Sequence, residues 1–225
     1  MMNKIKINKT NQYIIPNNIY CIGKNYAEHI KELGGDKIPE NPVIFLKPNS
    51  SIVTGEPEII IPEINGKPIS ESLHYETELA VVISAGCYKI KESEAENYIK
   101  GYAVGLDMTL RDIQSDAKAK GLPWATAKGF YTSAPISEII LKAEIPDPMN
   151  INLKLDVNNT LKQFSNTSLM IFNIYKLISY ISNIFYLKEN DIIFTGTPSG
   201  VGEVKPGDKL RASLDKYITL NARVQ

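Results

Sequence analysis

From Ile19 to Val224 the chain runs as short apolar stretches punctuated by turn residues, with only isolated helical patterns between them, and this limits its possible folds more than any other feature. Strands are expected at Ile19–Ile22, Val43–Leu46, Glu58–Ile61, Tyr75–Ser84 and Gly101–Leu106. Others follow near Ile151–Asn158 and Leu161–Phe164, then at Asp191–Thr195, Lys209–Ser213 and Tyr217–Val224. Helices are expected at Asn25–Leu33, Glu92–Ile99, Leu110–Lys120 and within Ser168–Leu187. Gly34 and Gly35 stop the first helix, Gly121 with Pro123 stops the third, and Thr109 with Asp112 supplies an acidic variant of a capping box for it. The helices do not alternate with strands in a regular βαβ series. The pattern therefore implies a β-dominated α+β fold with a rolled antiparallel or mixed sheet. Residues 1–18 read as a short N-terminal segment and 19–225 as one domain, within which Ile145–Met149 is a loop.

Composition narrows the partners. Lysine plus arginine and aspartate plus glutamate both number 25, so no net field steers the chain to nucleic acid or an anionic membrane, and a small molecule is the expected ligand. The two cysteines, Cys21 and Cys87, sit in apolar stretches without a disulfide-like spacing, and Met1–Gln12 lacks an apolar signal core. A reducing, cytoplasmic location is the expectation. Ser168–Leu187 is apolar enough to suggest a membrane span. However, Ile171, Ile174, Ile178, Ile181 and Phe185 follow helical spacing with polar residues between them, so an amphipathic helix packed on a core is expected instead.

Chemistry concentrates in His74-Tyr75-Glu76-Thr77-Glu78, which runs directly into Leu79–Ile83. Along a strand, His74, Glu76 and Glu78 share a face, alternate residues being about 6.6 Å apart, so two carboxylates can converge on one ion. Oxygen donors favour Mg²⁺ or Mn²⁺ over Zn²⁺. A solvated edge strand is the competing reading. Asp107, at the end of the apolar run Tyr102–Leu106, is a third candidate carboxylate. His29 and Glu32 lie three apart on a helix, where a carboxylate can orient an imidazole for proton transfer or form a plain surface pair. Lys128, in a stretch with little other charge, could hold a carboxylate or a developing oxyanion. The glycine-rich Phe194–Gly202 lacks the Lys-Ser/Thr ending of a phosphate-binding loop, which excludes nucleotide hydrolysis on that motif.

Taken together, Ile22–Tyr26, Phe45–Pro48, His74–Ile83, Gly105–Thr109, Arg111–Gln114, Gly121–Trp124, Ala127–Phe130, Met170–Phe172 and Thr195–Gly202 resemble, in order, the short single-domain branch of the fumarylacetoacetate hydrolase family. The resemblance implies a β-sandwich roll, usually a homodimer, with Glu76, Glu78 and Asp107 binding Mg²⁺ or Mn²⁺ and His29 with Glu32 as a water-activating dyad. It also implies that Lys128 acts in catalysis, that Arg111, Gln114 and Thr197 line the substrate pocket, and that His74 sits beside the metal. Lys24 stands where an arginine is common, and Thr126 and Tyr131 stand where some relatives carry arginine and aspartate. The expected activity is hydrolysis of acylpyruvates to pyruvate and a carboxylic acid, with oxaloacetate decarboxylation beside it. Oxaloacetate keto–enol tautomerisation is the alternative, and a catalytically silent binding protein on the same fold is the non-enzymatic one.

Overall fold

A strand that is apolar on both faces must be covered on both, and Leu79–Ile83 sets the layering of the molecule in this way. The computed structural model describes residues 4–32, 34–35 and 37–225; the expected helix end at Leu33 lies outside them. In chain order the elements used below are β1 (Ile19–Gly23), α1 (Ala27–Glu32), β2 (Val43–Lys47), β3 (Glu58–Ile59), β4 (Leu73–Tyr75), β5 (Thr77–Ile83), β6 (Ile99–Leu106) and β7 (Thr109–Leu110). They continue with α2 (Arg111–Lys120), α3 (Ala125–Lys128), β8 (Ile140–Leu141), β9 (Asn152–Val157), β10 (Thr160–Asn166), α4 (Ile174–Ile184), β11 (Ile192–Phe194), β12 (Gly202–Val204), β13 (Lys209–Leu214) and β14 (Ile218–Val224).

The central six-stranded sheet runs β8-β6-β5-β11-β1-β2, and a five-stranded sheet runs β10-β9-β13-β14-β3. Both are mixed, with β11 parallel to β1 and β14 parallel to β3. Leu79, Val81 and Ile83 of β5 join the larger core with Leu153, Leu155, Leu210, Ala212 and Leu220 of the second sheet. Ala80 and Val82 point the other way, into a smaller core closed by Ile5, Ile7, Ile14, Ile52, Ile136 and Ile139. The N-terminal residues thus cover the second face of the central sheet. Gly105 of β6 lies on that face because Phe194 fills the space, its ring 2.4 Å from where a β-carbon would stand.

The β-dominated α+β fold expected from the pattern is the one observed. Three local expectations are corrected. Tyr75–Ser84 is not one strand: the chain leaves β4, in a small sheet with β7 and β12, and enters β5 after a break at Glu76. Thr109 and Asp112 form no capping box. Thr109 donates to the Asp107 carbonyl, and Asp112 instead accepts from Ser70 Oγ and the Glu71 backbone, clipping the preceding loop to α2. Glu92–Tyr98 winds as a 3-10 helix rather than an α-helix. Gly34 and Gly121 do end their helices, with φ of 74° and 66°. The apolar helix is the eleven residues Ile174–Ile184, its buried face on the core, and no described helix is long and apolar enough to cross a membrane.

Candidate metal centre and active site

Antiparallel register builds the site. Thr77 pairs with Leu106 and Glu78 with Gly105, and the Asp107 N–H donates to the Glu76 carbonyl at 2.8 Å, extending the ladder by one residue. Residues 76, 78, 105 and 107 therefore share a face at the end of the sheet. Each of Glu76, Glu78 and Asp107 is buried, and each offers a carboxylate oxygen within 4.8 Å of the others. His74, which the unbroken strand would have aligned with them, pairs with Thr109 and Glu203 in the small sheet. Burial and the neighbouring Arg111 hold its imidazole below the ordinary histidine pKa.

Three cations answer the three carboxylates. Lys128, at the end of α3, reaches Glu76 Oε2 at 2.8 Å and Asp107 Oδ2 at 2.6 Å. Lys47, at the end of β2, faces Asp107 Oδ1 at 2.8 Å with its side chain wholly buried, and donates to the Lys128 carbonyl. Arg111, at the start of α2, binds Glu76 Oε1 and donates to Gln114 Oε1 at 2.7 Å. Burial alone would raise the Glu76 pKa, but Lys128 and Arg111 overcome it and hold the carboxyl far below its usual range. Glu78 goes the other way. Burial and the carboxylates of Asp107 and Glu76 push it well up, against one hydrogen bond from the Gly196 N–H at 2.7 Å.

That imbalance tests the fit of a divalent ion. The donors are hard oxygens, they converge, and a dication would offset the repulsion that Asp107 and Glu76 exert on Glu78. These residues suit Mg²⁺ or Mn²⁺.

The dyad lies at the same cavity. His29 is buried on α1, with Nδ1 3.1 Å from Glu32 Oε2, which leaves Nε2 for chemistry. Glu32 also accepts from the Gly200 N–H at 2.9 Å, so it joins α1 to the glycine-rich turn. Asn25, fully buried before α1, bonds the carbonyls of Thr195 and Phe172 and the Phe172 N–H, tying the helix start to the same turn. His29, Glu76, Glu78, Arg111, Gln114, Lys128 and Thr197 all border one cavity. A wider depression of about 430 Å³, bordered by exposed Lys209, Arg211 and Arg223 on the second sheet, holds none of these groups, so size alone does not mark the site.

Sequence reading missed two residues here. Lys47 is one. Gln163, the one buried residue of β10, is the other: its amide accepts from the Thr77 N–H at 3.0 Å and donates to Thr197 Oγ1 and the Pro198 carbonyl, both at 2.9 Å. The Thr197 hydroxyl in turn donates to the Thr77 carbonyl, so it braces β5 as well as lining the cavity. Of the three departures, Lys24 borders the cavity, whereas Thr126 and Tyr131 are exposed and do not.

Comparison with known proteins agrees with this architecture. Residues 18–225 match the family model described as fumarylacetoacetate (FAA) hydrolase C-terminal. The chain belongs to the fumarylacetoacetate hydrolase family. Within it, a mitochondrial oxaloacetate tautomerase of Arabidopsis thaliana is 50% identical over 196 residues, 87% of this chain and 85% of the relative. The Bos taurus enzyme of the same name is 44% identical over 208 residues, 92% and 91% of the two chains. A fumarylpyruvate hydrolase from Pseudomonas aeruginosa, crystallised with Mn²⁺ and pyruvate, superposes with a TM-score of 0.93 at 34% identity, covering 99% of this chain and 95% of that one. The protein is an enzyme of this family's hydrolase and isomerase group, acting on a small oxo acid.

Proposed function

We propose that the enzyme interconverts the keto and enol forms of a 2-oxo dicarboxylic acid, oxaloacetate being the leading candidate, with a divalent metal held by Glu76, Glu78 and Asp107. The observation that carries this reading is the charge balance of the buried cluster. Three carboxylates meet Lys47, Lys128 and Arg111, so the cluster is neutral before any ion enters, and a dication leaves two positive charges for a dianionic ligand. The relatives named oxaloacetate tautomerase, aligned over nearly the whole chain, point the same way.

When bound, the ion would act as a Lewis acid toward the 2-oxo group, lowering the cost of enolate charge. The protein's part is proton transfer. His29, its tautomer fixed by Glu32 at Nδ1, takes a proton from the carbon beside the 2-oxo group through Nε2. The C–H pair becomes the enolate, and the same proton returns to oxygen to give the enol. Lys128 keeps its charge, since Asp107 and Glu76 raise its pKa despite burial, so it donates hydrogen bonds rather than protons.

The His29–Glu32 pair also favours a second reading, hydrolysis of acylpyruvates. There His29 takes a proton from water, the hydroxyl attacks the distal carbonyl, the C–C bond breaks, and the departing pyruvate enolate takes the proton back. The two are separated by following enol absorbance with oxaloacetate and pyruvate release from acetylpyruvate, each with Mg²⁺ or Mn²⁺ and each with EDTA. The expected result is EDTA-sensitive tautomerisation, lowered by Glu32→Gln because Glu32 fixes the His29 tautomer; no metal-dependent turnover of either acid would sink both readings. We also propose a homodimer. Exposed Leu46 and Ile184 beside one groove are available for such a contact, and light scattering of the purified protein checks it.

A further inference from the structure

Besides Lys128 and Arg111, both paired to carboxylates, the same cavity is bordered by two more cations, Lys24 and Lys118. Both are exposed, and neither is within ion-pair distance of a carboxylate among the described residues. Lys118 is nevertheless positioned. Its ammonium lies 5.1 Å from the centre of the Trp124 ring, Trp124 packs on Phe45 with centroids 5.7 Å apart, and Lys128 lies 5.1 Å from the Phe45 ring on the inner side. An aromatic pair thus forms one wall of the cavity, with a lysine committed to the floor at one end and an uncommitted lysine at the other.

We propose that Lys118 is the specificity-determining residue of the pocket, binding the distal carboxylate of a 2-oxo dicarboxylic acid while the floor binds the 2-oxo-carboxylate head. The inference rests on the preceding functional reading and assigns the far end of its substrate. Lys118 occupies the last turn of α2, and Gly121 and Pro123 then lead directly to Trp124, so lysine and indole are set by one short span of backbone. Partial burial, with the adjacent Arg111 adding to it and Glu76 opposing, holds the ammonium below the ordinary lysine pKa. An incoming carboxylate supplies a counter-ion. Arg111 Nε, buried and without a partner among the described residues, and the Lys24 ammonium add to the positive potential of the opening.

The test uses the chain's single tryptophan, Trp124, as a reporter beside the proposed contact. Metal-loaded protein is titrated with oxaloacetate and with its 4-methyl ester, which keeps the 2-oxo-carboxylate head but masks the distal charge, and binding is read from Trp124 fluorescence. The wild type should bind the diacid about tenfold more tightly than the ester, a difference of about 1.4 kcal/mol. Lys118→Met should weaken the diacid by about that factor and leave the ester within about twofold, while Lys118→Arg should keep the preference. Equal loss for both ligands, or an unchanged preference in Lys118→Met, overturns the proposal. A wild type that binds both ligands but accelerates enolisation of neither defeats the tautomerase reading instead, and the binding ratio still judges Lys118.

Discussion

The floor and the rim of the cavity use the same residue types to opposite ends. On the floor, Lys47 and Lys128 are buried, each bound to a carboxylate, and their positions are over-determined by strand register and backbone carbonyls. At the rim, Lys24 and Lys118 are exposed and form no ion pair among the described residues. A buried charge has to be paired to be tolerated at all, so the floor's cations are part of the architecture; a cation left unpaired over an opening is available to a ligand.

Substitutions can break or sharpen that contrast. Lys47→Met should have the largest effect on stability, because it leaves Asp107 with only Lys128 as an ion-pair partner in the buried cluster. A loss of about 3–5 kcal/mol is expected from denaturant unfolding. A cost like that of a surface ion pair, below about 1 kcal/mol, would mean that the floor is not the pinned element described. Gly196→Ala should come next. Gly196 has φ of 99°, and a β-carbon there would stand 2.7 Å from Asn25 Cβ, so about 1–3 kcal/mol should be lost, together with the N–H alignment toward Glu78. Metal affinity measured by calorimetry should fall with it.

The smallest effect is expected on the rim helix. The Asp112 carboxyl is held below the ordinary aspartate range, burial opposing and the donors Ser70, Glu71 and Ile113 prevailing. A depressed carboxyl pKa contributes stability that is present above the unfolded value and lost as pH falls through the folded one. Asp112→Asn should therefore cost about 1 kcal/mol or less at neutral pH and flatten the acid limb of the unfolding curve. Thermal scans from neutral pH to strongly acidic pH read both. A penalty independent of pH would remove the carboxylate from the account.

The contrast also explains what the sequence could disclose. Glu76 and Glu78 are legible because strand alternation is local, and Asp107 because it ends an apolar run. Lys47 was not, since a lysine closing Val43–Leu46 looks like any residue emerging into solvent; that it turns inward depends on Asp107, sixty residues away. Gln163 fails for the same reason, its three partners lying on other segments. The break at Glu76 has no local signal either. It exists because Leu73–Tyr75 pairs with two strands that Thr77–Ile83 never meets. The helix stops at Gly34 and Gly121 were readable because positive φ is a property of the residue itself.

The glycine-rich turn touches both halves of the chemistry: one of its amides meets Glu78 and another meets Glu32. This short run of peptide units therefore acts as a common spacer between the ion cage and the proton carrier. Any disturbance that tilts this spacer, whether heat, a mutation or a neighbouring chain leaning on it, shifts both together. Partial inactivation should then be rare, the two capacities vanishing in step rather than one outliving the other.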